Sequence, residues 1–312
     1  MTVNAADMED EWTPLDGRWE RNGRSPVAAA VIGLIGIGVL YTYAQGLLTV
    51  AGMFVMSRDL LTGDDGSFIA SLTRMTEAAK QPLRLALFIT QYTAMLLPAL
   101  WLVRRWHSSD VRGYVQAVRA PWSETLLAVL ITLLSLPSLR FVNGLLAESL
   151  RMPDFLMRIN AELFTAYTAE ELAWLVLVVC VTPAICEEVF FRGYVQRTLG
   201  RRLGARSIAV VGVVFALFHQ QPLGLPVLTV LGVLFGLFYH RSGSLLPGAA
   251  AHFTNNLAAV VTSARTADGA EAFPLPLLSG ELWTAAVTVP FLITALLYYL
   301  HRTRPLSAAP EP

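Results

Sequence analysis

The sequence predicts an all-α protein, a single polytopic membrane bundle of about eight transmembrane helices. Three observations carry that prediction. Of 312 residues, 54% are hydrophobic and only 15% charged, where a soluble domain carries roughly 25% charged residues. The mean hydropathy is +0.53. Charge-poor apolar runs also recur along the chain, and a spanning helix needs about 20 such residues, fewer where it lies inside a bundle. The net charge is zero, so nothing points to nucleic acid. The basic residues matter by position instead.

Residues 1–25 are polar, begin acidic with Asp7, Glu9, Asp10 and Glu11, and carry Arg18, Arg21 and Arg24 just before the first apolar run. A secretory signal opens basic and ends in a small-residue cleavage site, so this stretch reads as a disordered cytoplasmic tail before an uncleaved helix. The apolar runs fall at about 27–56, 85–103, 124–143, 171–189, 207–220, 224–240, 244–264 and 282–300. The first is long enough to tilt or protrude. Arg140 and Asn143 mark where the third would leave the membrane, and only the turn from Gln220 to Gly224 divides the fifth from the sixth. Residues 144–170 alternate Leu145, Leu150 and Phe155 with Glu148, Arg151 and Arg158, the pattern of an interfacial amphipathic helix broken at Pro153. Residues 265–281 form an acidic, proline-containing loop. The chain thus divides into the tail, one membrane domain over 26–304 and a short C-terminal tail over 305–312. Most of the 23 lysines and arginines fall at the two ends and in the loops after Arg104, Arg192 and Arg241. That asymmetry predicts a multi-pass protein of the cell membrane with both termini cytoplasmic and Glu187 at the cytoplasmic end of the fourth span.

The chemistry gathers in Thr182–Gly193, TPAICEEVFFRG. Ionisable groups at membrane depth are costly enough to mark a site by default. A helix advances about 100° per residue, so Glu188 and Arg192 share a face and can pair while Glu187 points elsewhere. One carboxylate is then held ionised, and the other is free to accept a proton. Pro183, one turn before Glu187, removes an intrahelical hydrogen bond and leaves a carbonyl unpaired. The plainer reading is a charged helix end at the headgroups. Cys180 and Cys186, in the apolar run, pack as small hydrophobes rather than forming a disulfide or metal site. His219 closes FALFH one turn after Phe215, a position where an interfacial histidine is common. His252 lies inside the seventh run, AAAHFTNNLAAV, one turn before Asn256, and two polar side chains on one face of an apolar helix imply an inward-facing site. His107, His240 and His301 each lie close to an arginine at a helix end, which explains them as interfacial. The set contains a base, an acid and a hydrogen-bond donor, the parts that activate water, protonate a leaving amine and stabilise an oxyanion. The chain has no GxSxG, no HExxH helix and no aspartate pair within its apolar runs, so the serine, zincin and aspartyl templates do not fit.

EEVFFRG, FALFH and HFTNN resemble, in order, the EExxxR, FxxxH and HxxxN motifs of the CAAX protease and bacteriocin-processing (CPBP, or Abi) family of intramembrane proteases, which includes the type II CAAX prenyl endopeptidases. The resemblance covers a core of about 170–265. It implies an all-helical intramembrane endopeptidase whose site opens to the cytoplasm and acts on a membrane-associated peptide or protein. Glu187 and His219 would activate water, and His252 and Asn256 would form the oxyanion site. Glu188, Arg192 and Phe215 would brace it. Two other classes stay open: a transporter or channel using the buried charges as an ion path, and a non-catalytic immunity or binding factor. The cofactor is likewise open. Glu187, His219 and His252 would suit a two-histidine, one-carboxylate zinc site with water in the fourth position, and the same three can act without metal. A CAAX peptide requires a prenylated cysteine, and the sequence names no substrate.

Overall fold

The computed structural model describes residues 13–61, 68–151, 161–266 and 268–303. Among these residues the regular structure is helical, and the only β pairing is an isolated bridge between Arg265 and Glu271. Eight main helices follow the eight apolar runs: α1 Pro26–Met56, α2 Ala70–His107, α3 Trp122–Ser149, α4 Ala169–Leu203, α5 Arg206–Phe218, α6 Leu225–Ser242, α7 Leu245–Ser263 and α8 Leu282–Arg302. Six are long and apolar enough to cross a membrane. The other two are α5, of 13 residues, and α7, which carries His252, Asn255 and Asn256 inside it.

Local chemistry sets the helix ends. Ser25 caps α1 by accepting from the Ala28 amide, with Pro26 in the first turn. Thr168 accepts from the Glu171 amide at 3.2 Å, while the Glu171 carboxylate reaches back to the Tyr167 amide at 2.9 Å, a reciprocal cap for α4. Gly243, at φ 65°, ends α6 in the left-handed region that a side chain disfavours. Ser244 then starts α7, accepting from the Leu246 amide and donating to the Val118 carbonyl at 2.6 Å.

Three helices run further than hydropathy predicts, for one reason. Each carries charge that a partner inside the bundle satisfies, so the charge does not have to reach the headgroups. The fourth run was expected to end at 189 with Glu187 at its cytoplasmic end; instead α4 continues for 35 residues and Glu187 lies in its middle. Beyond it, Arg192 donates to the Gly232 carbonyl at 3.0 Å and Gln196 to the Gly236 carbonyl at 2.9 Å, both on α6. The third run does not leave the bundle at Arg140. That guanidinium donates to the Leu278 and Ala258 carbonyls and to Thr262 Oγ1, and α3 continues to Ser149. Helix α2 begins well before residue 85 because Lys80 meets Glu162 at 2.8 Å and buried Arg84 donates to the Leu163 and Thr165 carbonyls.

The predicted interfacial helix over 144–170 is thus taken up first by α3, and Pro153 lies outside the described residues. So do residues 1–12 and the tail over 305–312. Residues 13–25, expected to be disordered, are docked on the bundle. The Gly17 amide donates to the His107 carbonyl at 2.9 Å, Asp16 accepts from the Ser109 amide and hydroxyl, and Trp19 packs on Trp106 at 4.9 Å. Gly17 is required there, because a Cβ would fall 2.2 Å from the Trp106 carbonyl. Specific hydrogen bonds and an aromatic pair outweigh a composition that reads as disordered.

The core is aromatic and centred on α4, α5 and α6, through Phe190, Phe191, Tyr194, Phe215, Phe235 and Phe238. Glycines let the backbones close on one another. A Cβ on Gly232 would meet the Gly212 carbonyl at 2.8 Å, and one on Gly33 would overlap the Tyr194 hydroxyl that donates to the Ala29 carbonyl.

Candidate active site

The site forms where α2, α4, α6 and α7 meet, and three stretches of π winding shape it, one of them Glu188–Gln196 of α4, which carries Glu188 and Arg192. Residues Val176–Val181 of α4 and Gln91–Leu96 of α2 are π-helical turns, each closing on an amide five residues on and each followed at once by a proline, Pro183 or Pro98. A π turn rotates the helix that follows it, and such turns cluster at functional sites. In α4, the Pro183 ring cannot bond the Val179 carbonyl four residues back. Asn256 Nδ2 of α7 donates to that carbonyl instead, at 2.7 Å. Asn255 in turn donates to Asn256 Oδ1 at 2.9 Å.

The two adjacent glutamates occupy different surroundings. Glu188 is 1% exposed, and its Oε1 accepts from Arg192 at 2.9 Å and from His252 Nδ1 at 2.8 Å. Arg192 is fully buried, with its guanidinium 4.6 Å from the centre of the Phe215 ring and 5.5 Å from that of Phe235. Gly248 of α7 lies against Glu188 Oε2, where a Cβ would approach to 3.3 Å. Glu187 retains 8% exposure. Its Oε1 accepts from Gln91 Nε2 at 2.7 Å, whereas its Oε2 is buried with no hydrogen-bond partner and lies 4.0 Å from His252 Nε2.

The histidine tautomers follow from their partners. A carboxylate or a carbonyl only accepts, so each histidine presents Nδ1–H to it. His252 does so to Glu188, and His219 to the Phe215 carbonyl at 2.8 Å. In both rings Nε2 is left for other chemistry. Phe235 stacks on the His252 ring at 4.9 Å and 17°, which fixes its plane. His219 sits just past the end of α5, half-buried, against Phe215 at 4.7 Å; Phe215 also touches His252, edge-on at 5.7 Å. Among the described residues, no hydrogen bond or ion pair joins His219 to Glu187 or His252.

The structure therefore gathers Glu187, Glu188, Arg192, His252 and Phe215 into one chain of contacts, ties Asn256 to the helix break, and sets His219 across Phe215 from His252. Sequence reasoning missed Gln91 and Phe235. For Gln91 the signal was present, a primary amide in the middle of a charge-free run. The Gly232 and Gly236 carbonyls were marked only by a GxxxG pattern. Among the described residues no three histidine, cysteine, aspartate or glutamate side chains are grouped as ligands for a metal ion. Phe215 stands between His219 and His252 and so divides the donor set that would suit zinc.

What the cluster can do follows from its charge. Glu187, Glu188 and Arg192 together carry one uncompensated negative charge when ionised, and a buried cluster is driven towards neutrality. Glu187 Oε2 and His252 Nε2 are the atoms of this cluster that face each other with no hydrogen bond between them. At 4.0 Å those atoms are too far apart to bond directly, and their separation is one that a single water spans.

Residues 169–258 match the family described as Type II CAAX prenyl endopeptidase Rce1-like. The matched segment spans α4 to the middle of α7 and contains every predicted site residue, so this part of the chain is similar to CAAX-type intramembrane proteases, which are hydrolases. No curated protein and no solved structure matches the chain.

Proposed function

We propose that the protein is an intramembrane endopeptidase in which Glu187 Oε2 is the general base. The observation that carries this reading is the place of that oxygen: Oε2 of both Glu187 and Glu188 is buried without a hydrogen-bond partner, but Glu188 Oε2 lies against Gly248, whereas Glu187 Oε2 is 4.0 Å from an imidazole nitrogen. Buried polar atoms are rarely left unpaired, and an exception calls for a reason. Water bound there gives a proton to Glu187 as its oxygen attacks the carbonyl carbon of the peptide. The carbonyl π electrons move to oxygen, forming a tetrahedral oxyanion. His252, protonated at Nε2 and oriented by Glu188 and Phe235, donates to that oxyanion, with the second Nδ2–H of Asn256 beside it. As the C–N bond breaks, the proton held by Glu187 passes to the leaving amine, directly or through His219, leaving a carboxylic acid and an amine. Glu188 and Arg192 hold the imidazole and do not exchange protons with substrate.

The substrate class follows from depth. The cluster sits midway along a 35-residue helix, so the scissile bond belongs to a peptide or protein that enters the bilayer region. The arginine-rich end faces the cytoplasm on this reading, with both termini there.

The test is purified protein in nanodiscs with membrane peptides, scored by mass spectrometry for new termini. Glu187→Gln keeps size and most hydrogen bonding but cannot accept a proton, so cleavage is expected to fall by about 10²–10⁴ while folding survives. Cleavage by Glu187→Gln at the wild-type rate would sink the reading, and ion flux with no cleaved product from the wild type would move it to transport.

A further inference from the structure

From the contacts of α2 we infer that Gln91 is a positioning residue for the base: its amide holds Glu187 Oε1 so that Oε2 alone is presented to water and substrate. The inference rests on the protease reading for its consequence, though not for its geometry. Gln91 lies outside the matched segment, in the part of the chain that the family motifs do not reach.

Four observations support it. Gln91 is 2% exposed and its Nε2 is 2.7 Å from Glu187 Oε1. An ionised carboxylate only accepts, so the amide must turn its N–H towards Glu187. The residue opens the π turn Gln91–Leu96, and α2 meets α4 beside the matching break there. The other titratable or charged groups around Glu187 are Tyr41 of α1, His252 of α7, and Arg192, Glu188 and Cys186 of its own helix. Among the described residues Gln91 is the side-chain hydrogen-bond donor to Glu187.

The physical consequence is a division of labour between two oxygens of one carboxylate. A free carboxylate rotates about its last torsion and offers either oxygen. A 2.7 Å hydrogen bond to Oε1 stops that rotation and aims Oε2 at the gap beside His252. Reacting groups must be held to within a fraction of an ångström, and a misplacement of about 1 Å can cost 10²-fold in rate. On this account the chain before residue 169 is part of the catalytic apparatus through α2.

The experiment uses the full chain in nanodiscs and has two readouts. One is cleavage of a membrane peptide, with kcat and KM separated. The other is modification by a carbodiimide, which reacts with protonated carboxyl groups, with the labelled residues mapped by mass spectrometry. Gln91→Met keeps the length of the side chain and removes the donor. The expected result is a fall in kcat of roughly 10- to 100-fold, KM within about twofold, a folded protein with a lowered melting temperature because Glu187 Oε1 loses its partner, and faster labelling of Glu187 because the ionised form has lost a donor. Should Gln91→Met fail to fold, Gln91→Glu retains the shape of glutamine, and faster labelling of Glu187 is again expected. Unchanged kcat with unchanged labelling would overturn the inference, as would a rise in KM alone, which would make Gln91 a substrate contact. If the wild type cleaves nothing while Gln91→Met still changes Glu187 labelling, the positioning stands and the protease reading falls.

Discussion

Two clusters in this molecule are built from the same three residue types. At one end of the bundle, Glu20 Oε1 accepts from His107 Nδ1 and from Arg201, both at 2.5 Å, and Glu20 Oε2 accepts from Arg201 at 3.0 Å. In the middle, Glu188 Oε1 accepts from His252 Nδ1 and from Arg192 at nearly the same reach. Each is an arginine, a glutamate and a histidine with Nδ1 on the carboxylate. The difference is one residue, because the central cluster has a second carboxylate in Glu187. The outer cluster is neutral as one carboxylate and one guanidinium, and it clips residues 13–25 to the bundle. Its central counterpart has two carboxylates to one guanidinium. Ion pairing of this kind is thus structural by itself, and chemistry begins where a charge is left over.

The comparison breaks most sharply at the arginines. Arg192→Ala leaves Glu188 charged and buried without its strongest partner, and losing one member of such a pair costs on the order of 3–5 kcal/mol. Arg201 has a side chain 29% exposed, so water replaces it and Arg201→Ala costs about 1 kcal/mol at most. Thermal unfolding in detergent measures both. Equal losses would mean that the two clusters are alike and that the central one is not specialised.

A smaller effect separates two roles for Asn256. Removing its amide leaves the Val179 carbonyl unpaired, a cost of about 1–3 kcal/mol. Pro183→Ala restores an amide that can reach that carbonyl, so Asn256→Ala should cost less stability in the Pro183→Ala background. Cleavage should stay about 10²–10³ lower in both backgrounds if the second Nδ2–H serves the oxyanion. Equal stability losses in a four-protein cycle would remove the clasp, and cleavage restored in the double variant would remove the oxyanion role.

The smallest effect is a pH response of the outer cluster. Burial works to raise the Glu20 carboxyl, but the hydrogen bonds from His107 and Arg201 outweigh it and hold the group below the ordinary carboxylate range. A depressed folded-state value stabilises docking above the unfolded value, about 4.3, and that contribution is lost as pH falls through the folded value. Trp19 fluorescence, sensitive to its contact with Trp106, should change below about pH 4. Glu20→Gln should remove the acid transition. A transition that persists in the variant belongs to another group.

The amino-acid sequence by itself determined the helical class, the eight apolar segments and the pairs that lie one turn apart. Glu188 with Arg192 is such a pair, and at a spacing of four residues they meet even though α4 winds as a π-helix over Glu188–Gln196. The expected break at Pro183 was legible for the same reason, since its missing amide is a property of the residue. Only the tertiary structure decided which oxygen of Glu187 is held and which is bare, how far α4 continues, and what fills the gap that Pro183 leaves. Those outcomes depend on partners 40 residues away for Arg192 and Gly232, 77 for Asn256 and Val179, and 96 for Gln91 and Glu187. Local periodicity sets where a side chain points on its own helix. Whether a buried polar atom is satisfied depends on the helices packed against it, and no window of sequence contains both partners.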